Sequence, residues 1–110
     1  MASSIYGSTK AERIYNITRY QCKKSIQAWG YRVNPDGKSV GFNSVFSEGE
    51  GSLSTRTLND IEKWLARDRK TLELDRRLGI GDEERNTLTE QTLNMVETTI
   101  RNAREQLANW

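Results

Sequence analysis

Leu93-Asn94-Met95-Val96-Glu97-Thr98-Thr99-Ile100-Arg101-Asn102-Ala103-Arg104-Glu105-Gln106-Leu107-Ala108-Asn109-Trp110 is the stretch whose reading decides the fold. Leu93, Val96, Ile100, Ala103, Leu107 and Trp110 recur at steps of three and four, which on a 3.6-residue helix draws one narrow apolar stripe. Such a stripe needs a partner, and the spacing is equally compatible with the rest of the same chain or with a second copy. These six residues are therefore the candidate self-association seam. Glu97, Arg101 and Glu105 follow one another at four-residue intervals and predict charge pairs along the solvent side.

Working back, Asp82-Glu83-Glu84 brings negative charge to the start of this helix, where unpaired amides and the helix dipole favour it, so a helix over 82–109 is expected. Thr87-Leu88-Thr89-Glu90 is a second capping signature that leaves a later start or a kink open. Before it, Leu58, Ile61, Leu65 and Leu72, with Trp64 beside them, predict a helix over 57–78, opened by Thr57 and Asp60 and closed by Gly79. Its stripe falters at Asp68 and resumes in another phase at Leu74 and Leu78, which predicts a bend or a break near 69–71. The short glycine-containing link makes the two helices an antiparallel hairpin.

Toward the N-terminus, Thr9-Lys10-Ala11-Glu12 is a capping box, and Ala11, Ile14, Tyr15, Thr18, Cys22, Ser25, Ile26 and Trp29 keep helical spacing as far as Gly30, predicting a helix over 10–29. Arg13 to Tyr20 also suits a strand, because Ile14, Tyr15, Ile17, Thr18 and Tyr20 favour extended chain. Beyond Gly30 the period becomes two around Asn34-Pro35-Asp36-Gly37, predicting a small β-hairpin within 30–46. Residues 47–56 read as a flexible loop. The expected fold is a single domain, mainly α with a small β-hairpin (α+β).

Composition narrows the function. With 35% hydrophobic and 29% charged residues and a mean hydropathy of −0.81, amphipathic helices that each bury one face are expected over a thick core. The chain has no histidine and one cysteine, Cys22. That removes Ser-His-Asp and Cys-His nucleophilic systems, and it removes ordinary zinc sites within one chain. The glycines of Ser47 to Ser52 lack the lysine and hydroxyl of a phosphate loop, and Gly79-Ile80-Gly81 is followed by Glu84 where a dinucleotide fingerprint needs glycine. Asp68, Glu73 and Asp75, or Asp82, Glu83 and Glu84, are conceivable Mg²⁺ ligands, better explained as helix-surface pairs and helix-start charges. No enzyme, cofactor or metal is expected. Without a signal-like N-terminus or an apolar run of membrane-spanning length, the expected setting is soluble and cytoplasmic, away from membranes.

Residues 1–46 carry seven cations against two acids, and residues 47–110 carry ten against thirteen. The basic half interleaves cations with aromatics, so Lys10, Arg13, Arg19, Tyr20, Lys23, Lys24, Arg32 and Lys38 form the candidate surface for a macromolecular partner or for nucleic acid. The leading expectation is a small non-enzymatic binding protein of the adaptor or inhibitor type. It would associate through the helical hairpin as a homo-oligomer, with a dimer favoured, and present this surface to another protein. The alternative is an oligomeric nucleic-acid-binding protein using the basic half.

Overall fold

The computed structural model describes Gly7, residues 9–30 and residues 54–108. They form three helices, α1 (Lys10–Trp29), α2 (Thr55–Leu78) and α3 (Glu83–Ala108), each packed on both others. The described residues are 90% helical, with no strand or sheet among them, which corrects the mixed α+β expectation. The hairpin over 30–46 lies, apart from Gly30, outside the described residues, as does most of the 47–56 loop. The physical reason for the correction is that, among the described residues, three helices close one core on one another without a strand. Ile14, Tyr15, Cys22 and Ile26 of α1 join Leu58, Ile61, Leu65 and Leu72 of α2 and Leu93, Met95, Val96, Ile100 and Ala103 of α3 in one core. The strand alternative for 13–20 loses to this one-sided burial, because β propensity is weaker than the gain from docking a complete apolar face.

Helix ends follow local chemistry. Thr9 caps α1, its Oγ1 accepting from the Glu12 amide at 3.1 Å. α2 starts two residues before the expected 57, inside the expected loop, because Ser54 outcompetes Thr57 as cap: Ser54 Oγ accepts from the Thr57 amide at 3.1 Å. At its other end Gly79 adopts φ 71° and ψ 24°. The Ile80 amide then donates to the Asp75 carbonyl at 2.8 Å, the glycine-dependent closure that turns the chain toward α3. Asp82 Oδ1 accepts from the Arg85 amide at 2.7 Å, and α3 runs without a break through Thr87 to Glu90.

α2 is also continuous through 69–71, so the helix does not break there. Asp68 interrupts the apolar stripe for another reason: it accepts from Tyr15 Oη at 2.5 Å and from Arg19 Nη1 at 2.7 Å, joining α2 to α1. Leu74 and Leu78, which looked like a second buried phase, are 49% and 62% exposed. Between α2 and α3 the register is written in ion pairs. Glu62 meets Arg104 at 2.9 Å, Arg69 meets Glu97 at 2.6 Å, and Arg76 meets Glu90 at 2.7 Å. Each rung lies seven residues further on α2 and seven further back on α3, the signature of antiparallel helices meshed on a heptad-like repeat. Partly exposed pairs of this kind contribute about 0–1 kcal/mol each, so they select register more than they add stability.

α3 is rich in threonine, and its hydroxyls are satisfied locally. Thr92 Oγ1 donates to the Leu88 carbonyl at 2.7 Å and Thr99 Oγ1 to the Met95 carbonyl at 2.9 Å. Thr18 of α1 has no such partner: its Oγ1 is buried without a hydrogen bond. Thr18→Val keeps the shape and removes the orphan hydroxyl, so it is expected to stabilise the fold by about 1 kcal/mol. A urea transition shifted to higher midpoint at constant slope checks this; a lower midpoint contradicts it. No helix among the described residues is long and apolar enough to cross a membrane.

Candidate functional site

α1 turns its core residues toward α2 and α3, which leaves its cations on the outer side. Tyr20, Lys23 and Lys24 are exposed there, and Lys10 and Arg13 are partly covered. Lys24 Nζ lies 5.8 Å from the Tyr20 ring centroid. Arg19 has a different role from its neighbours. Its guanidinium is held by Asp68 and sits 5.6 Å from the Tyr15 ring centroid, so it anchors α1 to α2. Arg32 and Lys38 lie outside the described residues.

A feature not expected from the sequence completes this surface. Arg56, Lys63, Arg67 and Lys70 of α2 are all exposed, and their steps of seven, four and three place them along one side of the helix. Three of them, Arg56, Lys63 and Arg67, face Thr9, Lys10 and Ala11 of α1 across an open groove of about 630 Å³. Trp64 forms part of the wall, and the Arg67 guanidinium stacks 4.3 Å from its ring centroid. Asp60 is the one carboxylate among the described residues that line the groove, 3.6 Å from Lys63. Among the described residues, four cations and an indole thus line the groove with one carboxylate, while Asp68 beside it lies 3.8 Å from Arg67. The signal was present in the spacing of Arg56, Lys63 and Arg67, but summing charge over the whole acidic half concealed it.

A second cleft, of about 460 Å³, brings Arg19, Tyr20 and Lys23 of α1 together with Asp68 and Asp75 of α2 and Arg85 of α3. Its charges are mixed. A third depression is lined by Glu62, Arg69, Glu97, Arg101 and Arg104, most of which belong to the α2–α3 ion-pair ladder and have partners there. Of the candidate self-association residues, Leu93, Val96, Ile100 and Ala103 are buried in the core of their own chain and Leu107 packs against its edge, while Trp110 is outside the described residues.

Two buried groups with nucleophilic atoms, Cys22 and Tyr15, are held in their protonated forms. Burial pushes the Cys22 thiol up to about 12, slightly offset by its hydrogen bond with Thr99. Burial raises the Tyr15 phenol well above its ordinary value, helped by the hydrogen bond to Asp68 and that carboxylate's charge, while Arg19 pulls the other way. Both side chains are inside the core, out of reach of a substrate. No group of three or more acidic or cysteine side chains among the described residues is arranged to hold a metal ion. Comparison with protein-family models, with curated proteins and with solved structures finds no match for this chain.

Proposed function

We propose that this chain is a non-enzymatic binding protein that presents the basic flank of α1 and α2 to an anionic macromolecular partner, acting as an adaptor or inhibitor by occupying a surface. One observation carries the reading: Lys10, Arg56, Lys63 and Arg67 converge on a single groove with Trp64 and, among the described residues that line it, one carboxylate, Asp60. Cations are normally dispersed among acids over a surface, and collecting them costs mutual repulsion, which an anionic partner relieves. The apolar stripe of α3 supports the same assignment by elimination, since its central side chains are occupied inside the bundle.

Heparin, a base-free polyanion, tests the reading. Binding is expected to weaken steeply with salt, because each neutralised anionic group releases a condensed counterion. Arg56→Ala combined with Lys63→Ala and Arg67→Ala should flatten the slope of log K against log salt by about two to three, at roughly 0.7–0.9 per lost contact. Absence of binding, or a slope indifferent to the triple change, contradicts the assignment.

A further inference from the structure

We infer that the groove between the first turn of α1 and the flank of α2 is a subsite for single-stranded nucleic acid, in which a base stacks on the Arg67–Trp64 pair. The inference rests on the binding reading above and narrows its partner. Three features of the groove select the chemistry.

The cations come first. Arg56 to Arg67 spans eleven residues of one helix, a rise of roughly 16 Å, which matches a short run of backbone phosphates. Lys10 faces this row from α1 and lines the opposite wall. The second feature is the aromatic. Trp64 packs against the edge of the core, which fixes its ring, and Arg67 lies on that ring at 4.3 Å. A guanidinium stacked on indole is a rigid planar platform, and planar bases of any sequence stack on such platforms. A run of Asp and Glu side chains would use the cations but has no extended π face to stack there, whereas each nucleotide pairs a phosphate with a planar base.

The third feature is shape. A duplex reader pushes a protruding helix or ribbon into a major groove about 12 Å wide. Here the cations and the indole line a concavity of about 630 Å³, which admits a splayed base with its phosphate and not a convex double helix. Asp60, at the same wall, supplies an acceptor for a base N–H, such as the ring N3–H of thymine.

The test uses the full chain carrying Trp29→Phe and Trp110→Phe, which leaves Trp64 as its sole tryptophan. Oligothymidylate is expected to quench Trp64 fluorescence saturably, whereas heparin binds with little quenching. Trp64→Leu should weaken oligothymidylate binding about tenfold, the size expected for one lost stack, and leave heparin affinity within twofold. Because Trp64 touches the core, Arg67→Lys is the second variant: it keeps the charge, removes the planar face and should show the same selective loss. Equal effects on both ligands together with an unquenched Trp64 overturn the nucleic-acid subsite while leaving polyanion binding intact. Preference for a duplex over a single strand of the same length also overturns it. Failure to bind either polyanion, or binding confined to phosphatidylserine vesicles, overturns this inference and the broader reading together.

Discussion

Ile100→Asp is expected to leave the chain unfolded at neutral pH. Ile100 is 2% exposed and lies in the stripe of α3 with Val96 and Ala103, packed on α1 and α2. The substitution removes about 2–3 kcal/mol of apolar burial. It also places a carboxylate where no cation of the core can meet it, and even after the group neutralises itself by taking a proton the penalty is several kcal/mol more. A domain of this size has roughly 5–15 kcal/mol in hand, so the two costs together consume most or all of it. Loss of the helical circular-dichroism signal and of a cooperative transition is the expected result. Arg101→Asp, one residue further on, serves as control: its partner is Glu97 at 3.5 Å on the surface of the same helix, and the variant should remain folded. A folded Ile100→Asp protein that differs only in its mass by light scattering would instead place the stripe between chains.

Alkaline pH is expected to destabilise the fold more steeply than its lysine content suggests. Tyr15 and Cys22 are both fully buried, and in the folded chain both hold their protons above their ordinary values of 10.0 and 9.0. The unfolded chain ionises first. It therefore binds fewer protons than the native state, and stability that is complete below about pH 9 is lost as pH rises. Cys22 contributes a fall of about 1.4 kcal/mol per pH unit beyond 9, levelling near 12, and Tyr15 adds a similar slope beyond 10, so about 4 kcal/mol is gone by pH 11. Urea titrations at pH 8 and 11 measure the difference. Tyr15→Phe with Cys22→Ala should lower stability at pH 8 yet flatten its dependence on pH. An undiminished slope in that double variant contradicts the assignment of the effect to these two side chains.

The expected helices were legible because their ends are local. Thr9, Gly30 and Gly79 bound helices that stop at the expected residues Trp29 and Leu78, and the Leu93 to Leu107 stripe is the core-facing side of α3. What escaped was set by contacts between residues far apart in sequence. Asp68 reads as a fault in an apolar pattern until Tyr15 and Arg19, 53 and 49 residues away, are seen to meet it. For the same reason Arg19 reads in the sequence as a binding cation although it holds two helices together. Leu74 and Leu78 show the converse error, periodic leucines that the fold leaves outside. The groove was hidden by averaging. Arg56, Lys63 and Arg67 are surrounded in sequence by Asp60, Glu62 and Asp68; Glu62 is drawn to Arg104 of α3 and Asp68 chiefly to Arg19 of α1, although it also lies 3.8 Å from Arg67, so a running sum understates the positive charge on this side of the helix.

Backbone amide mapping by NMR during titration with heparin tests most directly whether the α1–α2 flank is the working surface of this protein. Shifts concentrated at Lys10, Ala11, Arg56, Lys63, Trp64 and Arg67, fading with added salt, with the outer side of α3 at Glu97, Arg101 and Glu105 unchanged, are the expected result. Shifts centred on α3, or none at saturating ligand, would contradict it.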